Sequence, residues 1–533
     1  MKEKTKITVE SLKKGKGLDV DITKLLKEIA KAVTKGLLVS YSSAEVTAVT
    51  SAISDGGIEG AKVTGCTDDQ LSNAKKEMNT SMTESIAETT ASTTTPTSST
   101  TSASSTTSTA STTSTTSTTS TTTLTYGITY SSNGSTSGSV PTDSKTYENG
   151  KSVTILGNSG NLTKTGYTFS GWNTSSDGSG TTYSEGQTLS MGSANITLYA
   201  KWILINVYAA GYSKNSSGVS VAGYWLNGSW NGLTPIDTSK TSMVNSIAIS
   251  GSNIYASGYS INASDINVAG YWLNGTWTSQ TPISTSKHSA VNSIVLSNSN
   301  VYAAGYSYNE SNVAVAGYWQ NGTWNALTPV STSKTASIRS FVINDSTIYA
   351  SGYSFNNSNV ATPVYWVNGT RNDLTPINTA KAAEAISIAI SGSNVYAAGY
   401  SVNSSDVFVP GYWLNGTWTA LSSISETKNA VVYSIFISGS NVYAGGYCVN
   451  SSNIQIPGYW LNGAWTALAP INENKHSVVY AISVSGSNVY AGGFSTNSLD
   501  VQVPGYWLNG TWTSLTPIDS TKHSIVNSIT VSP

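Results

Sequence analysis

NIYASGYSINASDINVAGYWLNGTWTSQTPISTSKHSAVNSIVLSNS, residues 253–299, is the stretch that decides the fold, because the same pattern occurs seven times before Pro533. The copies follow one another every 47 residues without insertion or deletion, and the last copy is one residue short. They begin at Asn206, Asn253, Asn300, Thr347, Asn394, Asn441 and Asn488. A period of about 40–50 residues is typical of propeller blades or of a solenoid array.

Each copy predicts four short antiparallel strands. The four runs in and next to the quoted stretch are rich in Val, Ile, Tyr, Trp and Thr and are bounded by turn residues. They are Val244–Ser250, Asn253–Ser260, Ile266–Trp272 and Thr276–Ile283. The Asn-Gly dipeptide between the last two favours a type I′ hairpin turn. No run has helical periodicity over ten residues, so we predict a mainly β fold: a monomeric seven-bladed β-propeller over 203–533.

The phase of the copies predicts how the array ends. It opens with Val207–Tyr212, which corresponds to the second strand of a copy, and it closes with Val526–Val531, which corresponds to the first. We therefore expect the C-terminal strand to close the first blade, which would leave no open edge there and no C-terminal anchor.

The aromatic residues of the array are predicted to form its core. Each copy has a Tyr-Trp pair, such as Tyr271-Trp272, and all but the fourth have a second Trp after the turn. Adjacent side chains on a strand point to opposite faces, so both faces of each sheet carry large groups to bury. In the fourth copy Arg371 replaces the second Trp.

The order Tyr-x-x-Gly-Tyr, Tyr-Trp, turn and Trp-Thr resembles a kelch-type blade. The double glycine of that family is present only at Gly445-Gly446 and Gly492-Gly493. The resemblance covers about 330 residues and implies an architecture without an activity.

The region before the array divides into three segments. Residues 1–88 contain amphipathic stripes and predict a short helical region. Residues 89–123 are almost entirely Ser and Thr and predict a disordered stalk. No secretion signal and no transmembrane run is recognisable.

Residues 124–202 form the third segment, and Gly166–Trp202 resembles the internalin-type B-repeat of listerial and related bacterial surface proteins. The residues that carry this resemblance are Gly166, Tyr167, Phe169, Gly171, Trp172, Asp177, Gly178, Gly180, Tyr199, Ala200 and Trp202. The resemblance implies a small β-grasp-like domain, an extracellular or cell-surface location, and a spacer or weak adhesive role.

Composition excludes several functional classes. Charged residues make up 10% of the chain and the net charge is −1, which gives no indication of a nucleic-acid partner. Two cysteines exclude a disulfide framework. The acids of the array are spread over several repeat positions, and the three histidines share one loop position. We therefore predict no catalytic residues, no cofactor and no metal site.

Two sets of residues are candidates for a ligand site. A lysine follows the last strand of every copy and is predicted to form a cationic face suited to anionic glycans, with a loop-capping role as the alternative. These lysines are Lys240, Lys287, Lys334, Lys381, Lys428, Lys475 and Lys522. A second position, in the first strand, does not repeat. Its residues are Asn245, Asn292, Arg339, Ile386, Tyr433, Tyr480 and Asn527. Arg339, Tyr433 and Tyr480 are candidates for a ligand site at the channel mouth, with neutral drift as the alternative.

These observations predict a noncatalytic bacterial surface or secreted protein that displays a propeller on a stalk and binds a glycan or a cell-surface protein through the face that carries the lysines. The alternatives are an enzyme that acts on polysaccharide through carboxylates from different blades and a purely structural surface protein.

Overall fold

The computed structural model describes residues 123–532, and in this range all regular secondary structure is β. The predicted helical region 1–88 and nearly all of the predicted stalk 89–123 lie outside the described residues. Within residues 123–532 no helix is present that is long and apolar enough to cross a membrane.

The first domain is a small β-domain of seven strands. They are β1 (Thr125–Ser131), β2 (Thr146–Glu148), β3 (Ser152–Thr154), β4 (Tyr167–Asn173), β5 (Thr182–Tyr183), β6 (Thr188–Ser190) and β7 (Ile196–Leu204). Five of them form a mixed sheet in the order β2-β1-β7-β4-β5, in which β1 and β7 are parallel, and β3 pairs with β6. Trp172 is fully buried at the centre, where it packs edge-on against Tyr130 and donates a hydrogen bond to the carbonyl of Leu156.

Asp177 caps a turn of this domain. Its carboxylate accepts hydrogen bonds from the Ser175 hydroxyl and from the backbone and hydroxyl of Ser179. These hydrogen bonds, that of Ser175 above all, lower the pKa of Asp177 to about 2.

The array consists of seven separate four-stranded sheets, here called the first to the seventh sheet in chain order. The first sheet contains β8 (Asn206–Lys214), β9 (Ser220–Leu226), β10 (Ser229–Gly232) and the C-terminal β35 (Ser524–Ser532). The second contains β11 (Ser242–Ser250), β12 (Asn253–Ile261), β13 (Asn267–Leu273) and β14 (Thr276–Ser279). The third contains β15 (Ser289–Ser297), β16 (Asn300–Tyr308), β17 (Ala314–Gln320) and β18 (Thr323–Ala326).

The remaining sheets have the same order of strands. The fourth contains β19 (Ala336–Asn344), β20 (Thr347–Phe355), β21 (Ala361–Val367) and β22 (Thr370–Asp373). The fifth contains β23 (Ala383–Ser391), β24 (Asn394–Val402), β25 (Phe408–Leu414) and β26 (Thr417–Ala420). The sixth contains β27 (Ala430–Ser438), β28 (Asn441–Val449), β29 (Gln455–Leu461) and β30 (Ala464–Ala467). The seventh contains β31 (Ser477–Ser485), β32 (Asn488–Thr496), β33 (Gln502–Leu508) and β34 (Thr511–Ser514).

The prediction of a single seven-bladed β-propeller is wrong. Strand pairing ends within each four-stranded sheet, and the described residues form no closed sheet. The repeat pattern determines strands and hairpins, which are local, but it does not specify how complete sheets are arranged. The kelch-type resemblance likewise rests on the pattern within one copy.

Strand pairing within the copies follows the sequence closely. All seven Asn-Gly turns have positive φ at both residues, for example 49° at Asn274 and 88° at Gly275, as a type I′ turn requires. The Asn side chain also fixes the turn to the adjacent strand, since Oδ1 of Asn274 accepts a hydrogen bond from the backbone N–H of Ile254 at 2.9 Å. The C-terminal β35 pairs with β8 of the first sheet, the pairing that the phase of the copies predicts.

Neighbouring sheets are joined by side chains. The third-strand Trp of every sheet is buried, and its indole Nε1 donates to a backbone carbonyl in the loop that leaves the preceding sheet. Trp272 donates to Thr234 at 2.7 Å, and Trp225 of the first sheet donates to Thr516, after the seventh, at 2.7 Å. The other five bonds link Trp319 to Thr281, Trp366 to Thr328, Trp413 to Thr375, Trp460 to Ser422 and Trp507 to Ala469.

The strand that begins each sheet, here called the inner strand, contacts the inner strands of the adjacent sheets. These strands are β35, β11, β15, β19, β23, β27 and β31; β35 contacts both β31 and β11. Serine hydroxyls bridge several of them: Ser246 of β11 accepts the backbone N–H of Ile294 in β15 at 3.3 Å. The sheets therefore meet along their inner strands as well as through the tryptophans.

A glycine in the third strand makes room for the second Trp. A Cβ placed on Gly270 would lie 2.4 Å from a ring carbon of Trp277. Five other sheets have the same Gly and Trp. In the fourth sheet, where Arg371 replaces the Trp, Val364 replaces the Gly. Arg371 there donates to the carbonyl of Pro329 and pairs with Asp373 at 2.7 Å.

A single residue, Ile205, joins β7 of the β-domain to β8 of the array. Ile205 is buried together with Tyr490 of the seventh sheet, and the side chain of Asn488 lies 3.5 Å from the carbonyl of Tyr167 in the β-domain. Tyr490 is 1% exposed, whereas Tyr443, its equivalent in the sixth sheet, is only partly buried. The junction thus covers a position that the sixth sheet leaves partly exposed.

We expect Trp272→Phe to destabilise the protein by at least about 0.5–1.5 kcal/mol, because the hydrogen bond from the buried indole to the carbonyl of Thr234 is lost. Trp277→Phe is the matched control, since Nε1 of Trp277 is buried without a hydrogen-bond partner in the described part of the chain. It should cost clearly less. Urea-induced unfolding followed by circular dichroism measures both, and equal losses would contradict the importance of the inter-sheet bond.

The fourth sheet offers a double-mutant cycle. Arg371→Trp alone should destabilise by about 1–3 kcal/mol, because the ring meets the side chain of Val364. Val364→Gly alone should also destabilise, because it leaves a cavity in place of a buried side chain. The double variant should lose less than the sum, with a coupling of at least about 0.5 kcal/mol. Additive losses in urea unfolding would refute the steric relation between the two positions.

Candidate functional site

Four of the seven lysines contact the turns that connect the second and third strands of the sheets. Lys240 contacts Asp265 at 2.6 Å, Lys381 contacts Asp406 at 2.6 Å and Lys475 contacts Asp500 at 2.6 Å. Nζ of Lys428 donates to the side chain of Asn453 at 2.7 Å. In these four cases the loop after the last strand of one sheet therefore lies beside this turn of the next sheet.

The aspartates reduce the charge of the predicted cationic face. Each occupies a turn position with positive φ, such as 58° at Asp265, where Asn, Asp and Gly are favoured. The equivalent residues of the other sheets are Asn312, Asn359, Asn453 and Gly218, which carry no charge. The side-chain hydrogen bond with Asp265 raises the pKa of Lys240. In three sheets the lysine joins two loops by an ion pair, so the face carries less positive charge than seven lysines suggest.

The three histidines cap strands of the preceding sheet. Nδ1 of His288 accepts the backbone N–H of Asn267 at 3.1 Å, and His476 and His523 make the same bond to Gln455 and Gln502. Asn429 does the same for Phe408 in its own copy. No group of three or more His, Cys, Asp or Glu side chains suited to a metal ion occurs in residues 123–532.

The position that does not repeat is the extra residue of a β-bulge in every inner strand. The register shifts between Val244 and Ser246, leaving Asn245 unpaired, and the other six inner strands shift at the same place. The bulge presses the carbonyl of Met243 against the adjacent strand, where a Cβ on Gly258 would lie 1.9 Å away. This close approach explains why Gly occupies that position in all seven copies.

Three of the bulge residues link consecutive inner strands. The side chains of Asn527, Asn245 and Asn292 each donate to a backbone carbonyl of the next inner strand. The acceptors are Val244, Val291 and Ile338, at 2.8, 2.8 and 2.7 Å. The next four bulge residues are Arg339, Ile386, Tyr433 and Tyr480, which replace this amide link with other contacts.

These four replacements, with the second-strand aromatics beside them, form a continuous group that we call the central cluster. Its members are Arg339, Tyr353, Glu384, Ile386, Tyr400, Phe408, Tyr433, Tyr447, Tyr480 and Phe494. Tyr433 and Tyr480 meet edge-to-face with ring centres 5.0 Å apart, and Tyr400 stacks on Phe408 at 4.6 Å. The structure thus brings the predicted Tyr433 and Tyr480 into contact.

Arg339 forms the polar side of the central cluster. Its guanidinium lies 5.1 Å from the ring centre of Tyr353, and one nitrogen is 3.4 Å from the carboxylate of Glu384. The side chain of Arg339 is 40% exposed and that of Glu384 is 17% exposed. The Glu384 carboxylate also contributes to the raised pKa of the nearby Tyr400. The guanidinium of Arg339, which only donates hydrogen bonds, and the carboxylate of Glu384, which only accepts them, therefore lie next to each other beside the aromatic rings.

The tyrosines of the central cluster remain neutral at physiological pH. Burial raises the pKa of Tyr480 to about 12. Burial is also the main cause of the raised pKa of Tyr433 and of Tyr400, to which the nearby Glu384 carboxylate contributes. Their hydroxyls can thus both donate and accept hydrogen bonds.

The sequence analysis missed Glu384, Tyr353 and Tyr400. Tyr353 and Tyr400 belong to a nearly invariant aromatic position, so the repeat pattern indicated a core role for them. For Glu384 a signal was available: its equivalents are Met243, Ala290, Ser337, Val431, Val478 and Ile525. That position varies as freely as the bulge position.

Part of the chain has recognisable relatives. Residues 126–201 match the family model of the Listeria-Bacteroides repeat domain. A 91-residue stretch, 17% of the chain, is 42% identical to a protein of Evansella cellulosilytica named "Putative Gly-rich membrane protein" and covers 10% of it. A 78-residue stretch, 14% of the chain, is 44% identical to a "Putative membrane protein" of the same organism and covers 11% of it. The chain thus spans about a tenth of the length of these curated relatives.

Two solved structures show a distant likeness. A 6-phosphogluconolactonase candidate from Bacteroides uniformis has a TM-score of 0.31 and 10% identity over 62% of this chain and 99% of its own. A thermostable family-43 glycoside hydrolase has a TM-score of 0.27 and 12% identity over 43% of this chain and 93% of its own. Scores this low support no conclusion about fold or activity. The family match is specific, and residues 126–201 are a Listeria-Bacteroides repeat domain.

Proposed function

We propose that this chain is a noncatalytic binding or adhesion protein of the bacterial cell surface, in which the seven-sheet array binds the ligand. The Listeria-Bacteroides repeat domain and the names of the two membrane-protein relatives support a surface-associated, extracellular location. In this proposal the repeat domain is the spacer of the array, to which β7 leads through Ile205.

The observation that carries the proposal is the loss of the amide link in four consecutive inner strands. Asn245, Asn292 and Asn527 each stabilise the junction of two sheets by a hydrogen bond. The four copies that have another residue in place of this Asn lack the inter-sheet hydrogen bond that the other three copies form. Residues that break a local rule of the scaffold tend to mark functional sites. Here the replacements place Arg339, Tyr433 and Tyr480 in one exposed to half-buried group.

The absence of a second acid on the inner strands supports a noncatalytic role. Glycoside hydrolysis ordinarily needs two carboxylates on either side of the scissile bond. Among the seven inner strands only β23 contains an acid, Glu384. That carboxylate is engaged by Arg339 and Tyr400. A polysaccharide-acting enzyme would therefore need a partner acid from a loop.

The test is binding of the full chain to immobilised neutral polysaccharides, anionic wall polymers and extracellular proteins. The central variant carries Arg339→Asn, Tyr433→Asn and Tyr480→Asn, which introduce the residue that three copies already have at this position. The matched loop variant carries Ala at all seven lysines. We expect the central variant to bind at least tenfold more weakly and the loop variant to bind like the parent chain.

Two outcomes would overturn the proposal. Absence of binding to every probe would favour a purely structural surface protein. Release of soluble sugars from a polysaccharide probe would favour the enzyme.

The stability of Asn245→Ala is a further expectation. This variant should be less stable than the parent chain by about 0.5–1.5 kcal/mol, because it loses the inter-sheet hydrogen bond to the carbonyl of Val291. Unfolding in urea measures the effect, and unchanged stability would contradict the role of the amide link in joining the sheets.

A further inference from the structure

The chemistry of the central cluster points to a particular class of ligand, and this inference rests on the proposed function. The cluster has one cationic and one anionic side chain, Arg339 and Glu384, which lie 3.4 Å apart. Its remaining members are aromatic or aliphatic, and the raised pKa values of Tyr433 and Tyr480 keep their phenols uncharged. The group is therefore electrically balanced.

The aromatic rings provide an apolar surface that is only partly covered. Tyr433 and Tyr480 are half-buried, and each also contacts a second-strand ring, Tyr447 at 6.0 Å and Phe494 at 5.9 Å. These contacts hold the two rings in a fixed orientation. Rings that are rigid and partly exposed offer their electron-rich faces to C–H groups of a ligand.

The paired charges suit hydroxyl groups. A guanidinium has five N–H donors and no acceptor, and a carboxylate has only acceptors. A hydroxyl both donates and accepts, so two neighbouring hydroxyls can be bound by Arg339 and Glu384 together. The cation–π contact with Tyr353 holds the guanidinium beside the carboxylate.

An anionic ligand fits this group less well. Its negative charge would meet the carboxylate of Glu384 next to the arginine, and the repulsion would offset much of the attraction. The lysines that would favour an anion lie in the loops and turns, outside the inner strands.

We infer that the central cluster binds a neutral sugar residue, with Tyr433 and Tyr480 against its C–H face and the Arg339–Glu384 pair on adjacent hydroxyls. A sugar ring has both of these features, an apolar face and neighbouring hydroxyls.

The experiment measures binding of the full chain to an array of neutral oligosaccharides built from glucose, galactose, mannose and N-acetylglucosamine. Uronic-acid polymers, a glycerol-phosphate polymer and extracellular proteins are included in parallel. The best neutral probe is then titrated at 50 and 500 mM NaCl. We expect a dissociation constant that changes less than twofold with salt, because no net charge is neutralised on binding.

The variants separate the two halves of the site. Tyr433→Asn with Tyr480→Asn should weaken binding of the neutral probe at least tenfold, and so should Glu384→Gln. Asn245→Ala with Asn292→Ala changes the same bulge position in two other sheets and should leave the affinity unchanged if the protein remains folded by circular dichroism.

The outcomes are distinguishable. Binding only to anionic polymers, with strong weakening by salt and in the lysine variant, overturns this inference and leaves the proposed function intact. Binding only to proteins likewise overturns the neutral-sugar inference and leaves the proposed function intact. Unchanged neutral-sugar binding in the tyrosine variant also refutes the assigned site. Absence of binding to every probe overturns both.

Discussion

The hydrogen bond from the third-strand tryptophan to the loop of the preceding sheet is the interaction on which the array depends. A four-stranded sheet of this length cannot bury both faces alone, and strand pairing ends at its edges. All seven sheets place a buried indole against a neighbour, and the bond from Trp225 to Thr516 joins the first sheet to the seventh. Because this contact combines a large apolar surface with a directed hydrogen bond, it fixes both the distance and the register between sheets.

Because every sheet has the tryptophan contact, the side chains of the inner strands can differ from copy to copy. Serine bridges such as that from Ser246 to Ile294 persist through most of the series, whereas the amide link at the bulge is retained in only three sheets. A bulge leaves one residue without a partner in the ladder, so its side chain is free of the constraints that govern its neighbours. The four copies from Arg339 to Tyr480 use this freedom, and their side chains contact one another or the second-strand aromatics.

The sequence predicted the features that follow from the pattern within one copy or from the phase of the copies, and it failed on the arrangement of whole sheets. The type I′ turns, as at Asn274-Gly275, and the pairing of β35 with β8 follow from local pattern and from phase. The arrangement of the sheets does not, because the contacts between sheets are made by side chains whose partners lie in other copies. Val364 and Arg371 are an intermediate case. The sequence shows that they replace the Gly and the second Trp of the other copies together. The cause is the close contact between the Trp ring and the Gly, which only the structure shows.

Duplication changes how a residue present in every copy should be interpreted. A side chain that is present in all seven copies is explained first by a structural role in each sheet. The ion pair between Lys240 and Asp265, which joins two loops, is a structural role of this kind. The loop lysines remain a candidate surface, yet their repetition carries no information about a ligand. The bulge residues are more informative about a ligand, because the sheets do not require Asn to be replaced at this position. One of the replacements, Arg339, also forms an ion pair with Glu384, which occupies a second variable position. The central cluster is the part of the inner strands in which the repetition is broken, and this is the reason that we propose it as the ligand site.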